Sequence, residues 1–214
     1  MGPSWKSEMM GLFSPNSGTQ EDRDKISCII LGKLFLTNHR GVGRADELES
    51  LGISHVICVN EQANDFPGRF IYYNISTLED QEDHDASRYF EEVISFTNQA
   101  LAQGGAVCFH CAAGISRSST MVIAYLMTAM QMCLINAFSL VYHSRGVVWP
   151  NRAFVKQLID YEAALQSEGL LQCAGPSISI DQWHAWTESN EDQVSLCLSP
   201  SRFQGKAQGR DAVC

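Results

Sequence analysis

The chain has 214 residues, 45% of them hydrophobic and 18% charged, which suits one soluble domain with a sizeable core and some tail. A net charge of −9 and an isoelectric point near 5.0 disfavour nucleic acid and anionic membrane as non-specific partners. No apolar run reaches the roughly 18–20 residues of a membrane span, no basic-then-apolar secretory signal opens the chain, and Lys6 stands where a myristoylation pattern needs Ser or Thr.

Residues 1–25 carry Gly, Pro, Ser and mixed charge without periodicity and read as a flexible leader. The apolar runs 26–31 and 33–36 flank Gly32 and predict two short strands across a turn. A short helix over 44–51 stops at Gly52, and strands follow over 54–59 and 69–75. After the acidic stretch 78–85, apolar residues at helical spacing from Tyr89 to Leu101 predict a helix ended by Gly104 and Gly105. Residues 106–110 read as a strand, and a helix runs from Arg117 to about Met132. Two more helices are expected near 134–144 and 151–167. Strands alternating with helices imply an α/β domain around a central sheet. That domain covers 26–167. Residues 168–214 read from composition as a mostly disordered tail, although Trp183 and Trp186, three apart, could share one helical face and dock.

Eight cysteines are present, and several lie in apolar runs such as 54–59, where a free thiol packs as a small hydrophobe. With no export signal, the expected setting is reducing, the cytoplasm and/or nucleus.

The stretch from Val107 to Ser119 reads strand, small-residue loop, helix. Such a loop gathers successive backbone N–H groups around one point, and the helix adds its unpaired N–H groups and the positive end of its dipole. The result is an anion site built from backbone. Cys111 opens the loop and Arg117 closes it. Arginine presents a planar fork of donors that matches phosphate oxygens. Thiols beside a helix N-terminus and a cation ionise more readily than free ones and serve as nucleophiles.

His110, Cys111, five residues, Arg117 and Ser118 resemble the His-Cys-x5-Arg-Ser signature of the cysteine-dependent protein tyrosine phosphatase superfamily. Residues 112–119 with 123–127, Pro150-Asn151, and the opening runs 30–36 and 51–57 look like its dual-specificity branch. No separate docking domain is expected before the matching part, about 26–167, so the atypical dual-specificity phosphatases are the nearest label. The resemblance implies an α/β fold with a central mixed β-sheet flanked by helices. It implies metal-independent hydrolysis of phosphotyrosine and phosphoserine or phosphothreonine in proteins, through a phosphocysteine on Cys111. No cofactor is expected, because the arginine and the loop amides supply the charge stabilisation.

The resemblance further implies that His110, Ala112, Ala113, Gly114, Ile115, Ser116 and Arg117 form the phosphate-binding loop. His110 would orient the loop and the cysteine, and Ser118 would stabilise the departing thiolate. The general acid should be an aspartate about thirty residues before the cysteine. Asp80 lies 31 residues before Cys111, with Asp83 and Asp85 as alternatives in the same acidic loop. Trp149 stands where relatives often carry a basic residue, so a secondary phosphate contact is not expected. The loop interior has no lysine, which favours phosphoproteins, kinases of signalling cascades among them, over inositol lipids or RNA 5′-triphosphates. Alternative readings are a catalytically weak phosphate-binding module and a phosphatase for a non-protein phosphoester. The pair Cys108/Cys111 also has the Cys-x-x-Cys spacing of redox and zinc sites. Cys108 lies within an apolar strand, however, and no second pair completes a zinc site.

Overall fold

The computed structural model describes residues 23–62, 64–171 and 178–189. Most of the expected leader, and the rest of the tail, lie outside the described residues. The sheet has five strands: β1 (Ser27–Ile30), β2 (Leu34–Asn38), β3 (Ile53–Cys58), β4 (Ile71–Asn74) and β5 (Ala106–Cys111). Their order is β1-β2-β5-β3-β4. β1 runs antiparallel to β2, and all other neighbours are parallel. The mixed sheet flanked by helices matches the expected fold class.

β5 is central and buried at every position. It reads as a continuous apolar run because both faces of a largely parallel sheet are covered. One face packs against α1 (His39–Val42) and α2 (Ala45–Ser50), with Phe35, Leu48, Val56 and Cys108 between the layers. The other face carries the larger core and the helices α3 (Phe90–Ala102), α4 (Arg117–Ala129), α5 (Leu134–Ser144) and α6 (Arg152–Ser167). α4 runs through the middle of this layer, and Ser118 to Met127 are all buried. A helix apolar on every side belongs inside a domain, and α3, α5 and α6 surround it. Each large side chain buried there stabilises the fold by about 1.5–3 kcal/mol.

α4 ends at Ala129, short of the expected Met132. Gln131 adopts φ 53°, a left-handed conformation that breaks the helical path, and the Met132 N–H turns back to the Leu126 carbonyl at 3.3 Å. A last helix, α7 (Ile180–Ser189), falls inside the segment expected to be mostly disordered. The Ser179 Oγ accepts from the Gln182 N–H at 3.2 Å while the Ser179 N–H donates to Gln182 Oε1 at 2.7 Å. This reciprocal capping box starts the helix. Trp183 is buried, so the first member of this aromatic pair docks on the domain.

Among the described residues no helix is long and apolar enough to cross a membrane. Among the described residues Cys28 and Cys133 are disulfide-bonded, whereas Cys58, Cys108 and Cys111 are free thiols.

Candidate active site

The loop from Cys111 to Arg117 leaves the carboxyl end of β5 and enters α4, between β2 and β3 on either side. Crevices at the carboxyl ends of parallel strands are where α/β sheets bind ligands. The loop's shape follows from where its carbonyls go. Ala112 O accepts from the His39 N–H at 3.3 Å. Ala113 O and Gly114 O accept from Arg145 Nη2 and Nε at 3.3 and 2.9 Å. Ile115 O accepts from the Trp149 N–H at 2.8 Å and from Ser119 Oγ at 2.6 Å. Ser116 O accepts from Thr120 Oγ1 and Ser119 Oγ, both at 2.8 Å. Every carbonyl from 112 to 116 is thereby tied outward. Because the peptide is planar and trans, each following N–H points the opposite way, toward the centre of the loop. Gly114 permits this path: its φ is +65°, and a Cβ there would lie 2.5 Å from Thr37 O and 2.8 Å from Arg145 Nη2.

Cys111 Sγ accepts from the Gly114 N–H and from Ser118 Oγ, each at 3.2 Å. The Ser118 hydroxyl therefore faces the sulfur. Ser116 occupies the N-cap position of α4 but makes no capping hydrogen bond. Its Oγ instead donates to Asp80 Oδ1 at 2.7 Å and accepts from the Asn151 N–H at 3.0 Å. The first-turn N–H groups of α4 thus stay without a side-chain cap, open to an anion.

Arg117 is mostly buried. Its Nη1 donates to Leu78 O at 3.3 Å and lies 3.7 Å from the exposed Glu61 carboxylate. Its Nε is buried without an acceptor among the described residues, a costly arrangement that a phosphate oxygen would relieve. Of the three candidate acids, only Asp80 meets the loop, through Ser116 and through Asn151 Nδ2 at 2.8 Å. Asp83 is exposed, and Asp85, also exposed, accepts from the Ser87 N–H at 2.9 Å. Gln157 on α6 fastens that loop, receiving the Ala86 N–H and donating to His84 O, both at 2.8 Å.

His110 is buried with its Nδ1 unpaired among the described residues. Burial, reinforced by the nearby His39, pushes its pKa down to about 4, so the ring is neutral at pH 7. Cys108 packs with Phe35 and Val56 on one face of the sheet, and Cys111 joins the core on the other, so the two are not a redox pair. Burial pushes the Cys58 thiol up to about 11 and the Cys108 thiol up to about 12. Both are protonated at pH 7.

Two contributors escaped the reading of the sequence. Arg145 is 3% exposed, yet its guanidinium reaches the carbonyls of Arg23, Lys25, Ala113 and Gly114. Its position just after the apolar face of α5 and before Val147-Val148 was the available signal of burial. Asn151 stands out in the sequence only as part of Pro150-Asn151. It caps α6 through the Phe154 N–H at 2.9 Å and also holds Asp80.

The family model for the dual specificity phosphatase catalytic domain matches residues 34–164, more than half of the chain. The dual specificity protein phosphatase 1-B of Xenopus laevis is 39% identical over 153 residues, 71% of this chain and 41% of that protein. The human dual specificity protein phosphatase 9 is 36% identical over 217 residues, 91% of this chain and 53% of that protein. The chain spans about two fifths of the length of the first curated relatives it matches. Among solved structures, human DUSP28 superposes with a TM-score of 0.62 at 29% identity, covering 66% of this chain and 95% of that one. The human tyrosine phosphatase-like serine/threonine/tyrosine-interacting protein gives 0.64 at 32% identity, covering 67% and 99%. A cysteine and an arginine facing one ring of inward N–H groups, on this sheet and within this match, place the chain in the dual specificity phosphatase family of the cysteine-dependent protein tyrosine phosphatase superfamily.

Proposed function

We propose that this domain hydrolyses phosphotyrosine and phosphoserine or phosphothreonine in proteins through a phosphocysteine intermediate. The observation that carries the proposal is the loop whose five consecutive carbonyls are tied outward around the Cys111 sulfur. The inward N–H groups and Arg117 would hold the three equatorial phosphate oxygens while Cys111 Sγ attacks in line. The sulfur–phosphorus bond forms as the phosphorus–oxygen bond breaks, and Asp80 gives its proton to the departing oxygen. Water then attacks the phosphocysteine, losing a proton to the Asp80 carboxylate. The sulfur leaves as thiolate, met by the Ser118 hydroxyl. His110, buried behind the loop and neutral, would orient it.

A kinase substrate is supported by relatives such as the MAP kinase phosphatase with leucine-rich repeats protein 3 of Dictyostelium discoideum, 38% identical over 143 residues. The test is a phosphopeptide panel run with wild type and Cys111→Ser. Wild type should release phosphate from all three phosphoresidues, with activity undiminished by a chelator. The serine variant should be inactive yet still bind phosphopeptide. Undiminished turnover by Cys111→Ser would overturn the mechanism.

A further inference from the structure

We infer that the carboxyl-terminal helix α7 is a positioning element for the acid, acting through Trp183; this rests on the phosphatase reading above. The family match ends at residue 164, before this helix begins. Trp183 is nevertheless 2% exposed and belongs to the main core. Its ring meets Phe138 of α5 edge-on, with centroids 4.7 Å apart. Phe138, itself 1% exposed, meets the Trp149 ring edge-on from the same cluster at 5.9 Å. Ile178 and Ile180 pack against this core from the start of α7.

Trp149 begins a three-residue strap that touches both halves of the proposed machinery. The Trp149 N–H holds Ile115 O in the phosphate loop at 2.8 Å. Two residues on, Asn151 grips Ser116 Oγ by its N–H and Asp80 Oδ1 by its side-chain amide. Pro150 between them is buried and stiffens the strap by fixing φ. Edge-to-face aromatic pairs transmit position because interiors are close-packed and side chains cannot shift singly. Trp183 therefore backs Phe138, Phe138 backs Trp149, and the strap sets where Asp80 meets the leaving oxygen. The cysteine end of the loop is held separately, by Arg145 and His39.

This separation makes the inference testable in the full chain. Trp183→Ala should slow a phosphoserine peptide about 10–100-fold, as misplacement of a catalytic group by ~1 Å can do. p-Nitrophenyl phosphate, whose leaving group departs unprotonated, should lose less than about threefold. Trp183→Phe, which keeps an aromatic edge against Phe138, should restore most of the phosphoserine rate. Amide exchange gives a readout independent of activity: the N–H groups of Trp149 and Asn151 should exchange at least ~10-fold faster in Trp183→Ala, with β5 unchanged. Should Trp183→Ala fail to fold, a smaller loss of the same leaving-group type in Trp183→Phe would support the inference. An equal loss on both substrates, or unchanged exchange at Trp149 and Asn151, would overturn it. Wild type inactive on every phosphoester would instead overturn the phosphatase reading, and the exchange measurement would still decide the role of Trp183.

Discussion

Asp80 Oδ1 accepts a 2.7 Å hydrogen bond from Ser116 Oγ, the side chain immediately before Arg117. Asn151 Nδ2 donates to the same oxygen at 2.8 Å. Two donors on one oxygen leave the other free to carry and deliver a proton. Asp80→Asn should therefore slow phosphoserine turnover by about 10²–10⁴-fold, the usual worth of general acid catalysis. Activated aryl phosphates should suffer less, because their leaving oxygens need no proton. Asp83→Asn and Asp85→Asn are the controls from the same loop. If one of these shows the leaving-group dependence and Asp80→Asn does not, the acid is misassigned.

Much of this arrangement was legible in the residues. β5 shows as an apolar run ending in His110-Cys111, and the small residues 112–116 announce a loop before a helix. The helices α3, α5 and α6 carry clear apolar spacing, and their bounds lie within a residue or two of expectation. What failed to show depends on distance along the chain. Arg145 contacts Arg23 and Lys25, 122 and 120 residues away, and a lone arginine ordinarily reads as solvated. α1 has four residues, too few for a period to register. α7 was written in the sequence as the capping box Ser179 to Gln182, but its polar neighbours outweighed that local signal. Asp80 was distinguishable from Asp83 only through a family spacing, since the acidic stretch has no pattern of its own.

Arg145 should matter to the shape of the loop, because it holds two of the loop's carbonyls from outside. Burial lowers its pKa from the usual arginine value, but not enough to discharge it. It donates to four carbonyls. Arg145→Met fills most of the volume and strands those acceptors, each costly when left buried and unpaired. Unfolding in urea should report a loss on the order of 3 kcal/mol. Because Ala113 O and Gly114 O would no longer be tied outward, affinity for vanadate at the loop should fall as well. Arg145→Lys, a single point donor, cannot reach both ends and should recover only part. Full stability and full vanadate affinity in Arg145→Met would show that the outward carbonyls are held by other contacts.

His110 sets a pH dependence of stability whose sign follows from its burial. Its folded pKa is pushed down to about 4, first by desolvation and then by His39, against an unfolded value of 6.5. Between these values the unfolded chain binds a proton that the folded chain refuses. Unfolding free energy therefore rises with pH across this window. The contribution is fully present above pH 6.5 and is lost as pH falls toward 4. A difference of this size corresponds to about 3 kcal/mol at its limit. His55, whose pKa burial also lowers, adds in the same direction. Urea midpoints measured from pH 7 down to pH 4.5 should fall steadily in wild type. His110→Asn cannot take up the proton in either state, so its curve should be flatter by up to one proton in the same interval. Parallel curves for the two proteins would mean that His110 is not the group protonated on acid unfolding.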